Sequence, residues 1–92
     1  GHGFKSRLAK AAQCQLPYLS RVLSGNADLN LDQADGVSRW LGHLPDERHF
    51  FLLLVQRSRA ATSNLRDYFT EHIESLKKRL MDLTERFKLP RT

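Results

Sequence analysis

The last third of the sequence carries the pattern that most constrains the fold, because its apolar side chains recur at alternating spacings of four and three residues. A heptad repeat of this kind forms one continuous apolar stripe on an α-helix. We therefore predict a long helix that begins at the potential capping residues 62–64 and runs to about Lys88. The stripe consists of Phe69, Ile73, Leu76, Leu80, Leu83 and Phe87.

An exposed stripe of this length needs a partner, and we expect that partner to be a second copy of the chain. The flanking heptad positions contain no acid that would pair with their bases in a parallel homodimer. Antiparallel or swapped pairing, packing on the apolar segment 50–55, and contact with a further domain are therefore open alternatives. The flanking residues are Thr70, Lys77, Thr84, His72, Arg79 and Arg86.

The first third of the chain predicts two short helices. Ser6 is a candidate N-cap for a helix that runs to about Gln13. Pro17 is suited to the first turn of a second helix that continues to about Ser24, where Gly25 favours termination. The residues expected on the inner faces are Leu8, Ala9, Ala12, Leu19, Val22 and Leu23.

The middle of the chain predicts two more helices, and no segment alternates over the length of a strand, so the expected fold is all-α. Asn30 and Gln33 have the spacing of a capping box, and Gly42 marks the end of that helix. Pro45 opens a fourth helix, which should run to about Ala61 and occupy the centre of the fold. The expected inward residues are Leu31, Ala34, Val37, Trp40 and Leu41, then Phe50, Phe51, Leu53, Leu54 and Val55.

Composition argues against several classes of function. With one cysteine, Cys14, and four histidines without ligand spacing, we expect neither a metal nor a cofactor. No apolar run approaches the roughly 20 residues of a membrane span. No nucleophile, base and orienting group fall in a recognisable arrangement, so we do not expect an enzyme. The single thiol suits a reducing cytoplasm.

The net charge of +5 is unevenly distributed along the chain. Residues 1–25 carry four bases and no acid, whereas residues 26–55 carry five acids and two bases. Residues 56–92 return to an excess of bases, with nine bases and five acids. A region free of acids is where a polyanion would encounter least repulsion, so the amino-terminal third is the candidate contact surface.

The segment LAKAAQCQLPYLSRVLSG, from Leu8 to Gly25, resembles the helix-turn-helix of the Cro and lambda-repressor-like family. The following NLDQADGVSRWLG resembles that family's next helix. The later FFLLLVQRSRAATSNLRDYF is similar to a group of bacterial transcription regulators in which such a domain precedes a larger region. The resemblance implies a helix-turn-helix DNA-binding domain over residues 1–61 and, over 62–92, a long helix for dimerisation or connection to a further domain.

The resemblance also implies a binding site, with a recognition helix over residues 16–24 in the DNA major groove. Arg21 is the expected reader of a base, although its sequence position also allows an ion pair with Asp28 or Asp32. The family's pattern assigns base contacts to Gln15, Leu16, Pro17 and Arg21. It makes Lys5, Arg7, Lys10, Gln13, Tyr18 and Asn26 candidates for contacts to the DNA backbone.

Two departures from the family's pattern give structural expectations. The family has glycine where this chain has Gln13, so either Gln13 takes an unfavourable backbone conformation or the turn differs. The family also has a helix before the Leu8–Ala9 pair, and that helix would belong to a preceding segment or be replaced by the long last helix.

The function expected from these observations is sequence-specific binding of double-stranded DNA by a dimeric transcription regulator in the bacterial cytoplasm, at the nucleoid. The alternative is an adaptor that binds proteins through its apolar stripe and does not bind DNA.

Overall fold

The computed structural model describes residues 2–87 of the chain, and within them the side chains of residues 3–82, 85 and 86. The backbone of this part is all-α, with five helices and no strand. The helices are α1 (His2–Ala11), α2 (Leu16–Leu23), α3 (Leu31–Trp40), α4 (Pro45–Arg59) and α5 (Ser63–Phe87). The all-α prediction is therefore confirmed for the residues described.

Local capping explains most of the helix ends. Pro17 lies in the first turn of α2. The Asn30 side chain accepts a hydrogen bond from the Gln33 amide at 2.8 Å, and the Gln33 side chain accepts one from the Asn30 amide at 2.9 Å. This reciprocal pair confirms the predicted capping box at the start of α3. At the start of α5, the Thr62 hydroxyl accepts from the amide of Leu65 at 3.2 Å.

The first helix differs from its prediction at both ends. It begins at His2, so Ser6 is an exposed residue inside the helix rather than its N-cap. Residues 3–5 contain no proline, and nothing in this segment prevents the helix from starting earlier. The helix ends at Ala11 because Gln13 has a φ of 55°, which a right-handed helix cannot accommodate.

The amino-terminal helices form a core of small side chains. α1 packs on both α2 and α3. Gly36 of α3 makes the close approach of α1 and α3 possible, because a Cβ atom there would lie 2.2 Å from the carbonyl oxygen of Ala11. The buried residues of this region are Ala9, Ala12, Leu19, Ala34, Val37 and Ser38.

α4 links this region to a second core made of larger side chains. It packs on α3 and on α5, but of the residues predicted to face inward only Leu53 is buried and the others are half-buried. Because only residues 60–62 separate α4 from α5, the two helices form an antiparallel hairpin. The buried centre of the hairpin is Leu53, Ile73 and Leu76, and the partly buried side chains around it are Phe50, Leu54, Phe69 and Leu80.

The apolar stripe of α5 therefore has a partner within the chain. Ile73 and Leu76 are fully or almost fully buried against α4, which is one of the alternatives that the sequence left open. Phe69 and Leu80 flank the same cluster. The side chains of the last two stripe positions, Leu83 and Phe87, lie outside the described residues.

Three leucines and one tryptophan that were predicted to face inward are exposed instead. Leu31 and Trp40 are the first and last residues of α3, Leu41 is its C-cap, and Leu23 is the last residue of α2. Trp40 packs at the surface against Phe4 of α1, with ring centroids 5.6 Å apart. None of the helices in residues 2–87 combines the length and the apolar character that a membrane span requires.

Candidate nucleic-acid interface

The connection between α1 and α2 is a tight turn closed by backbone hydrogen bonds. The Cys14 amide donates to the Ala9 carbonyl at 3.0 Å, and the Gln13 amide donates to the Lys10 carbonyl at 3.1 Å. This pair of bonds is a Schellman motif, with Gln13 as the left-handed residue that follows the helix. The unfavourable backbone conformation expected for Gln13 is thus present.

The same motif recurs after α2 and α3, where glycine occupies the left-handed position. Gly25 has a φ of 84° and Gly42 a φ of 74°. The amides of the next residues, Asn26 and His43, donate hydrogen bonds to the carbonyls five residues earlier, at 2.8 Å and 3.2 Å. Among the described residues other than glycine, Gln13 is the single one with a positive φ. The α1–α2 turn therefore has the same geometry as the other two turns, with glutamine in place of glycine at the left-handed position.

The turn orients α2 so that one face packs on α1 and the opposite face is free. Leu19 is 1% exposed and forms the inner contact. Gln15 has extended backbone geometry and is the N-cap of α2, and Leu16 and Pro17 are exposed on its first turn. Arg21 is exposed one turn further along. The four predicted base-contact residues are therefore all accessible at this surface.

A small hydrogen-bond network supports Arg21 at the end of α2. Its guanidinium donates to the carbonyl of Asn26 at 3.4 Å, and the Ser24 hydroxyl donates to the carbonyl of Arg21 at 3.1 Å. The Asn26 amide nitrogen in turn donates to the Ser24 hydroxyl at 3.2 Å. Sequence reasoning did not assign a role to Ser24, although its three-residue spacing from Arg21 is the signal for such a contact.

The ion pair considered for Arg21 is replaced by other contacts. The carboxylate of Asp28 accepts a hydrogen bond from the Ser58 hydroxyl of α4 at 3.0 Å. Asp35 forms ion pairs with Arg39 and Arg48, and Lys77 forms one with Glu74. Arg21 therefore has the Asn26 carbonyl as its partner and no carboxylate within the described part of the chain.

Tyr18, a candidate for a contact with the DNA backbone, makes a hydrogen bond within the chain. Its half-buried side chain donates a hydrogen bond from the hydroxyl to the backbone carbonyl of Asp28. A phosphate oxygen accepts hydrogen bonds, so the same proton is not available to it. In this structure Tyr18 instead holds the segment that follows α2 against the helix.

The remaining candidates for backbone contacts lie at the surface of α1 and the two turns. Lys5, Arg7 and Lys10 are exposed on α1, Gln13 is exposed in the first turn and Asn26 in the second. α1 contains no acid that would compete with a phosphate for these side chains. The two helices therefore present exposed bases on a scaffold whose inner contacts are apolar.

The part of the chain that the structure describes contains no group of three or more His, Cys, Asp or Glu side chains that could hold a metal ion. Cys14 is a half-buried free thiol in the α1–α2 turn. Comparisons with protein-family models, with characterised proteins and with solved structures found no match to this chain.

Proposed function

We propose that α1 and α2 form a helix-turn-helix that binds double-stranded DNA as part of a transcription regulator. The observation that carries the proposal is the left-handed Gln13 within a Schellman turn. This conformation costs about 1–2 kcal/mol for a residue with a side chain, and it orients α2 with a free outer face. A four-residue break between two packed helices is also the length typical of this motif.

The charge distribution supports the proposed partner. Lys5, Arg7 and Lys10 contact phosphates from α1, while α2 enters the major groove, which is wide enough for an α-helix. Phosphate contacts determine the position of the protein on the duplex without reading its sequence. The acid-free character of residues 1–25 means that no carboxylate of this segment opposes the approach of the backbone.

Sequence reading falls to the exposed face of α2. Arg21 offers the planar fork of donors that matches the O6 and N7 atoms of guanine, and its present partner is a neutral carbonyl at 3.4 Å, which it can exchange for a base. Leu16 and Pro17 lack side-chain donors and are suited to the methyl group of thymine. Gln15 presents its amide at the amino-terminal edge of the same face, and Asn26 and Gln13 supply polar contacts at the flanks.

The test begins with selection of bound sites from random duplex DNA, followed by titration of the selected site and of random duplex by fluorescence anisotropy. Arg21→Ala should weaken binding to the selected site by about 1–3 kcal/mol and leave binding to random duplex much less affected. Lys10→Ala should weaken both and should reduce the slope of log affinity against log salt by about 0.9.

Lys78→Ala is the matched control, because Lys78 is an exposed base on α5, which packs on α4 and not on α1 or α2. Its binding should equal that of the unaltered protein. Absence of salt-dependent binding, or equal losses for Lys78→Ala and Lys10→Ala, would contradict the proposal. No DNA binding by the unaltered protein, or binding that does not depend on salt, would instead favour the protein-binding adaptor.

A further inference from the structure

The α4–α5 hairpin leaves an open apolar groove along one side. The groove has a volume of about 500 Å³ and an almost entirely apolar lining. Met81 on its α5 bank is 48% exposed, and the aromatic side chains of its α4 bank are only half-buried. The lining residues are His43, Glu47, Phe50, Phe51, Leu54, Lys77, Leu80 and Met81.

The two banks of this groove carry opposite charges at the same end. Glu47 belongs to α4 and Lys77 to the antiparallel α5, and both line the groove. They do not form an ion pair with each other. The Glu47 carboxylate instead accepts a hydrogen bond from the Leu44 amide at 2.7 Å, and the Lys77 ammonium lies 3.5 Å from the Glu74 carboxylate.

We propose that this groove is the interface between two copies of the chain, related by a two-fold axis that runs along the groove. Such an axis brings α4 of one copy over α5 of the other, so that Glu47 of each copy faces Lys77 of its partner. The apolar sides of the two grooves pack against each other next to these two symmetry-related charge pairs. An isologous interface requires self-complementarity of this kind.

The charge pattern selects a second copy over a small ligand. An amphipathic anion would pair with Lys77 but would be repelled by Glu47 on the opposite side of the groove. A cation would pair with Glu47 but would be repelled by Lys77. A second copy satisfies both charges at once. The flanking heptad positions of α5 contain no acid that could pair with Lys77 of another α5 helix. In this arrangement the acid comes from α4 instead.

The inference does not rest on DNA binding, and its test contains no DNA. Sedimentation equilibrium of the full chain at low salt should show a dimer. Glu47→Lys and Lys77→Glu should each weaken dimerisation about tenfold or more, because each places like charges opposite one another in both symmetry-related charge pairs.

An equimolar mixture of the two single variants provides the decisive measurement. In the mixed dimer, both charge pairs are again of opposite sign, so a heterodimer should form with an affinity close to that of the unaltered chain. Energy transfer between differently labelled variants detects it. If Glu47 and Lys77 interacted only within one chain, the double variant would restore dimerisation, but mixing the two single variants would not.

Two further variants separate dimerisation from folding. Lys78→Glu reverses an adjacent charge that does not line the groove and should leave the dimer intact. Met81→Asp should dissociate it while the helical circular dichroism and cooperative melting are retained, since Met81 is exposed in the single chain. A monomeric unaltered chain, a mixture that forms no heterodimer, or an unchanged dimer in Met81→Asp would each overturn the proposal.

Discussion

The two ends of this small protein are stabilised by different kinds of core. The amino-terminal helices and the turn after α1 pack mostly through small side chains around Leu19 and Val37, with Ala12 and Ala34 fully buried and the Ala11 carbonyl close to Gly36. The α4–α5 hairpin packs through leucine, isoleucine and phenylalanine side chains. Small residues permit close approach of helices but bury little apolar area, whereas large ones contribute about 25 cal/mol for each Å² removed from water.

The same two regions differ in surface charge. α1 and α2 expose bases alone, while α4 and α5 expose both signs. From this contrast we expect the hairpin to supply most of the stability, and the closely spaced amino-terminal helices to contribute less. Three substitutions test this division.

The largest effect is expected in the hairpin core. Ile73→Ala removes a fully buried side chain between α4 and α5 and should lower the free energy of unfolding by about 2–5 kcal/mol. Leu65→Ala, at a 44% exposed position of the same helix, should cost less. Urea unfolding followed by circular dichroism measures both. Equal losses for the two variants would show that the hairpin core is not the main source of stability.

A somewhat smaller effect is expected where α1 and α3 meet. Gly36→Ala adds a Cβ atom 2.2 Å from the Ala11 carbonyl oxygen, a backbone atom that cannot rotate away. The resulting separation of the helices should cost about 1–3 kcal/mol. Gly3→Ala, with no atom within 4 Å, should be neutral or slightly stabilising because alanine favours the helix. Stabilisation by Gly36→Ala would mean that the helices are not so closely packed.

The smallest effect has the opposite sign. Gln13→Gly should raise the free energy of unfolding by about 0.5–1 kcal/mol, since glycine takes a positive φ without steric cost but loses more conformational freedom on folding. The matched control is Gln56→Gly within α4, which should lower it by about 1 kcal/mol. Destabilisation by both variants would argue against a left-handed residue in the α1–α2 turn and would remove the main support for the helix-turn-helix.

Local features of the sequence were sufficient to predict the helices and most of their ends. Pro17, the Asn30–Gln33 pair, Gly25 and Gly42 act on backbone groups at most five residues away, so their effects do not depend on the rest of the fold. The accessibility of Arg21 and Lys10 was predictable in the same way, because it follows from the apolar spacing of their own helices.

Which apolar faces are covered depends on the packing of the helices against one another. Leu23, Leu31 and Trp40 have helical spacing typical of a core, yet all three side chains are exposed, Trp40 even though it contacts Phe4 of α1. The stripe of α5 looked the same in sequence whether its partner was a second copy or α4, and the short 60–62 connection brings α4 against Ile73 and Leu76. Periodicity determines which side of a helix is apolar, but burial depends on contacts between residues far apart in the chain.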